Sequence, residues 1–108
     1  MSKQVACPVK EFPGVVIFHD PMTLAMASQY EIAMDYGKRI DNKESALYAV
    51  AAIPGCLATV EKWSLKGFQE GITLDSIPLN PPGARAEFVA WLVAEVDKLY
   101  RGTEVPNE

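Results

Sequence analysis

Along the chain, β-forming residues come first and helical periods follow. Val5, Val9, Val15, Val16, Ile17 and Phe18 favour extended structure, and Pro8, Pro13 and Gly14 punctuate them. Glu11-Phe12-Pro13-Gly14 suits a type II turn with Pro-Gly at its centre. The pattern predicts a hairpin of Val5–Lys10 with Val15–His19, and Pro8 confines the first strand to a sheet edge. A lone hairpin is marginal in water, so it must pack on something else.

A first helix is predicted from Asp20-Pro21, where Asp20 can cap and Pro21 suits the first turn; Thr23 competes as the cap. Leu24, Ala27, Tyr30 (or Glu31) and Met34 recur as one apolar stripe. Gly37 supplies a left-handed stop, with Lys38 and Arg39 just beyond it, where positive charge suits a helix C-terminus. A second helical stretch starts near Asp41-Asn42, with Asn42 as cap and Glu44 in the first turn. Ala46–Val60 is apolar nearly all round, which demands burial on every side, inside the domain or against another chain. Pro54 should kink or break that helix near Ala52-Ile53, and a short continuation carries Leu57, Val60 and Trp63.

Residues 64–83 read as a connection, either a small hairpin or an ordered loop around Gly67 and Gly71. Pro78, Pro81, Pro82 and Gly83 exclude regular structure until the last helix. In residues 84–101, Phe88, Leu92, Val96 and Leu99 share one face, Val89, Val93 and Tyr100 widen it, and Trp91 sits on its flank. Asn80 is a candidate cap, and Gly102 and Pro106 stop the helix. The expected fold is therefore mainly α within the α+β class: three to four helices with a small N-terminal β-hairpin. A single domain over residues 1–101 would carry a flexible acidic tail over 102–108.

Composition narrows the function. The 108 residues suffice for one domain and one modest core. A formal net charge of −4 argues against a nucleic-acid or anionic-membrane binder. Ala46–Val60 is too short to span a bilayer, and the N-terminus lacks a signal peptide's apolar core. The expected location is a reducing cytoplasm, where Cys7 and Cys56 stay as thiols.

Candidate chemistry is thin. His19 is the only imidazole, and Asp20 beside it would point to the opposite face of a strand, so the two do not form a base and its orienter. Cys7 and Cys56 lack a CxxC spacing, and a metal site would need ligands from far-apart segments. The glycines form neither GxGxxG nor a Walker loop, and no serine stands in a G-x-S-x-G context. No catalytic residue, metal site or cofactor is assigned. Trp63 and Trp91 suit an interface or, more commonly for large aromatics, a small core, and the methionines of the first helix serve either as gap-fillers or as an adaptable binding face; taken with Ala46–Val60, the pattern favours a binding protein over an enzyme. Much of the apolar content is concentrated in Ala46–Val60 and Val89–Val96, more than one small monomer hides easily, so the core is expected to be completed by another chain.

The order Val60-Glu61-Lys62-Trp63-Ser64-Leu65-Lys66-Gly67-Phe68, then Ile72-Thr73-Leu74-Asp75-Ser76-Ile77-Pro78, Pro81, Arg85 and Phe88-Val89-Ala90-Trp91-Leu92-Val93 through Leu99-Tyr100, resembles the tail assembly chaperones of long-tailed double-stranded DNA phages and prophages. Gly14-Val15-Val16-Ile17 and Asp20-Pro21-Met22-Thr23-Leu24 are similar to their N-terminal part, so the resemblance spans residues 12–101. It implies a largely helical, self-associating protein that binds the tape-measure protein before the tail tube polymerises and is absent from the finished virion. It also implies that a longer frameshifted form exists in many such phages. The residues carrying the likeness are packing and turn residues.

The resulting expectation is a non-enzymatic chaperone that reversibly covers apolar stripes on a tape-measure helix. Met26, Tyr30, Trp63, Trp91 and Tyr100 are the candidate contacts. The rivals are a structural tail or head-completion protein retained in the virion, a small phage-encoded inhibitor of a host protein, and, last, a hydrolase using Cys56 or His19.

Overall fold

Val16 and Phe18 are fully buried, while Val15 and Ile17 between them keep partial contact with water. That alternation is a strand with one face on a core. The computed structural model describes residues 2–42 and 45–104. The strand is β2 (Gly14–His19), preceded by β1 (Ser2–Ala6) and followed by helices α1 (Leu24–Gly37) and α2 (Ala46–Leu57), strand β3 (Val60–Leu65), a 3-10 turn at Leu74–Ser76 and helix α3 (Pro82–Glu104). The strands form one antiparallel sheet in the order β1-β2-β3, so β2 is central.

This corrects the expected class. The chain is α+β, with three helices and a three-stranded sheet, rather than mainly α with a small hairpin. The difference is β3, which occupies the stretch expected to continue a helix through Leu57, Val60 and Trp63. Phe18 pairs with Val60 whereas Ile17 pairs with Lys62, so Glu61 is an extra residue, a β-bulge. The bulge places Val60, Trp63 and Leu65 on the inner face. Their three-then-two spacing imitates a helical step.

Other boundaries move for local reasons. The first strand ends at Ala6, before Pro8, which has no N–H to donate to a ladder. Val9 and Phe12 are then free to turn into the core, where both are buried. Gly14 opens β2 with φ +146, and a Cβ there would lie 1.9 Å from the Ser64 carbonyl oxygen, so only glycine lets β3 approach. Thr23, not Asp20, caps α1, its hydroxyl accepting the Met26 N–H at 3.2 Å. Ser45, not Asn42, caps α2 by accepting the Tyr48 N–H at 3.1 Å. α2 runs through Pro54 to Leu57 without a break. Gly37 and Gly102 lie inside helices and neither has a positive φ, so neither is a left-handed stop. The expectations for Glu44 and for 105–108 at the end of the tail fall outside the described residues.

The core lies between the inner face of the sheet, α2 and α3. From α3 come Phe88, Leu92, Val96 and Leu99, the stripe expected from the sequence, joined by Val89. Ala52, Ile53 and Cys56 come from α2. Phe88 is the aromatic hub: its ring centroid lies 4.9 Å from Phe68, 5.9 Å from Trp91, 6.2 Å from Trp63 and 6.3 Å from Phe12.

Candidate functional site

α1 and α2 form an antiparallel pair whose contact is made by small residues. Ala27, Ala33 and Gly37 are buried on α1 and Gly55 on α2. A Cβ added at Gly55 would lie 2.4 Å from both the Ala33 Cβ and the Gln29 carbonyl oxygen. The backbones therefore approach closely, and the larger side chains stand up on either side of the contact. Ile32 and Tyr36 on α1, and Leu47 and Val50 on α2, each leave more than half of their surface in water. They wall a groove of about 480 Å³ floored by Ala33, Ala51 and Gly55. Along α2, Leu47, Val50 and Pro54 follow an i, i+3, i+7 spacing, a continuous apolar ridge.

Arg39 is the only charged residue lining the groove among the described residues. It sits just beyond the C-terminal end of α1, where its Nη2 donates to Asp35 Oδ2 at 3.1 Å and its guanidinium lies 5.4 Å from the Tyr36 ring centroid. An open, apolar, helix-walled groove with one cation at its end is suited to the apolar face of another helix. Surface patches of this kind on small proteins mark interaction sites.

The five residues expected at a contact surface are placed otherwise. Trp63 and Trp91 are half-buried with their rings against Phe88, and Trp63 donates its indole N–H to the Gly71 carbonyl at 2.9 Å. Met26 is half-buried against the core. Tyr30 is buried and Tyr100 half-buried, their rings 5.0 Å apart between α1 and α3. Leu24, placed on the packing stripe by its spacing, is instead 84% exposed. The walls Ile32, Tyr36, Leu47 and Val50 were not singled out from the sequence. The legible signal was the all-round apolarity of Ala46–Val60, which already required a second covering surface.

Tyr30 and Tyr100 form a reciprocal clasp. Tyr30 donates to Asp97 Oδ1 at 2.7 Å, and Tyr100 donates back to Glu31 Oε2 at 2.5 Å. Arg101 Nε also donates to Asp97 Oδ2 at 2.6 Å. Burial pulls the Asp97 carboxyl upward, but the hydrogen bonds from Arg101 and Tyr30 and the Arg101 charge outweigh it and hold the group below its ordinary value. Burial, and then the bond to Asp97, push the Tyr30 phenol up, so it remains a donor. A carboxyl depressed in the folded state stabilises above its unfolded pKa of about 3.9, and that contribution is lost as pH falls through the folded value. Asp97→Asn should therefore cost about 1 kcal/mol at pH 7, because Asp97 stays partly solvated, and progressively less below about pH 4. Urea unfolding of both proteins at pH 7 and pH 3 tests this; an equal difference at both values would show that the charge is immaterial.

Burial pushes the Cys56 thiol up to about 12, which leaves it protonated at neutral pH and a poor nucleophile. Among the described residues no three His, Cys, Asp or Glu side chains converge to hold a metal ion. Among them, too, no helix is long and apolar enough to cross a membrane. No family model matches the chain, nor does any curated protein or solved structure.

Proposed function

We propose that the protein is a non-enzymatic phage tail assembly chaperone of the host cytoplasm, which holds an apolar stripe of the tape-measure protein in the α1–α2 groove during tail morphogenesis. The observation that carries this reading is the groove itself: four large apolar side chains from two helices left in water around a floor of alanine and glycine. A single isolated leucine would need no partner, but an ordered apolar groove on a domain of 108 residues does. The acidic net charge keeps such a surface soluble before its client arrives. The resemblance over residues 12–101 supplies the client, since a tape-measure protein is a long helix with apolar stripes that must not self-associate early. The contacts move from the five aromatic and methionine positions to Ile32, Tyr36, Leu47 and Val50, because the rings of Trp63, Trp91, Tyr30 and Tyr100 are already engaged within the domain.

Co-expression with the tape-measure protein of the same tail-gene cluster tests the reading. The native chain should raise the soluble fraction of the client several-fold, and Val50→Asp should abolish the gain while keeping the native circular dichroism spectrum. A client equally insoluble with and without the native chain would remove the proposal. Detection of the chain in purified virions by mass spectrometry would favour a retained structural component instead.

A further inference from the structure

α1 holds to the domain by few large side chains. Its buried residues are Ala27, Tyr30, Ala33 and Gly37, so Tyr30 is the one bulky group it buries fully. Met26 and Met34 are half-buried beside it, while Leu24, Ile32 and Tyr36 leave more than half of their surface in water. α3, by contrast, buries Phe88, Leu92 and Val96 completely. Burial stabilises in proportion to the apolar area removed from water, and alanine and glycine carry little of it. The close contact of α1 with α2 is therefore tight in geometry but modest in energy. A polar tie is added on the other side of α1. Tyr30 donates to Asp97, and Tyr100 donates back to Glu31, so two hydrogen bonds cross between α1 and α3 in opposite directions. Beside them lies a hollow of about 500 Å³, rimmed by Lys38, Tyr48 and Arg101. On this flank α1 faces open space rather than packed side chains.

We propose that α1 is a latched flap: it leaves the domain as a unit ahead of global unfolding, and the reciprocal Tyr30–Asp97 and Tyr100–Glu31 clasp is its latch. The sheet, α2 and α3 keep their shared core when α1 opens, because the rings packed on Phe88 belong to α3, β3 and the connections beside the sheet. A released helix of 14 residues is marginal in water, so opening frees its amides together. Arg101 strengthens the latch from the α3 side: it bonds the second oxygen of Asp97 and so holds that carboxylate in place for Tyr30. The consequence falls on the groove. Ile32 and Tyr36 are two of its walls and Ala33 is part of its floor, so the groove is complete only while α1 is latched. A client lying across both helices holds the flap shut, since it binds the closed form alone. That consequence rests on the client reading; the flap itself does not.

Amide hydrogen exchange of the full chain, followed by nuclear magnetic resonance in low concentrations of urea, is the test. Amides in the body of α1 should share one opening equilibrium, roughly tenfold or more above that of β2 and of α3 around Phe88. Their dependence on urea should be shallower, because opening a flap exposes less surface than unfolding the domain. Tyr30→Phe keeps the ring and removes the latch hydroxyl. It should raise α1 opening about tenfold, the worth of a hydrogen bond to a charged partner. It should also raise the opening of β2, since the clasp is broken in the unfolded chain as well. Phe88→Leu separates a flap from uniform loosening. It weakens a core that stays formed while α1 is open, so it should raise the opening of β2 and α3 and leave that of α1 unchanged. Native α1 amides that exchange no faster than those of β2 overturn the proposal. So does α1 exchange that rises with the rest in Phe88→Leu, or that ignores Tyr30→Phe. The outcome is separable from the client reading. A tape-measure protein left insoluble does not alter the exchange pattern, and an α1 that opens only with the whole domain refutes the flap while leaving the groove in place.

Discussion

Alanine in place of Phe88 is expected to remove about 4 kcal/mol of folding stability, a large share of what a domain of this size holds. The ring is fully buried and packs on Phe12 from the β1–β2 connection, on Trp63 and Phe68 from β3 and the segment after it, and on Trp91 one turn further along α3. Its removal leaves a void that no single neighbour can close, because each neighbour is anchored elsewhere: Trp63, for example, is tied to the Gly71 carbonyl. The midpoint of thermal unfolding should fall by roughly 15–30 °C. Phe88→Leu, which retains most of the volume, should lose clearly less. A loss below about 1 kcal/mol for Phe88→Ala would show that the cluster collapses around the gap and that the ring is not its hub.

The second large effect belongs to Gly55. Alanine in a helix interior is ordinarily favoured over glycine by about 1 kcal/mol, so the local term favours the substitution. The tertiary term opposes it and is larger. The added methyl would meet the Gln29 carbonyl and the Ala33 methyl at 2.4 Å, far inside van der Waals contact, and a backbone carbonyl cannot rotate away as a side chain can. α2 must move outward by about an ångström, and the net loss should be about 2 kcal/mol. Ala33→Gly in the same chain should recover only part of it, since the Gln29 contact remains. A Gly55→Ala protein more stable than the native one would mean that the helices slide apart freely. The groove would then have no defined width.

The parts of the fold that were legible in the sequence are those whose period is uninterrupted. The stripe of α3 repeats every three or four residues over more than three turns, and the structure buries those same side chains. β2 was legible because Val15–Phe18 is a run of β-formers closed by Pro-Gly on one side and Asp-Pro on the other. β3 was not, because the bulge at Glu61 shifts its inward positions out of period two. α1 was only half legible. Of its expected stripe, Ala27 and Tyr30 are buried and Met34 packs on the core while Leu24 is exposed, and the close approach to α2 at Ala33 and Gly37 was not anticipated, because small residues give a weak signal in a single sequence.

The candidate site follows from that same point. Where two helices meet through small residues, the large ones are displaced to the flanks, and the exposed apolar positions are then set by the contact rather than by their own spacing. Tryptophan attracts notice in a sequence because it dominates both interfaces and cores. Here both tryptophans turn toward Phe88, and the groove is walled by the less conspicuous Ile32, Tyr36, Leu47 and Val50.

The placement of Phe88 also constrains how the chain is made. Its partners include Phe12, which precedes β2, while Phe88 itself lies in α3, the last of the described elements. The inner face of the sheet, with Val16 and Phe18, therefore has no α3 to cover it until α3 itself has been synthesised. The domain cannot assemble vectorially from its N-terminus. Until α3 is made, the inner face of the sheet is an apolar nascent surface open to aggregation.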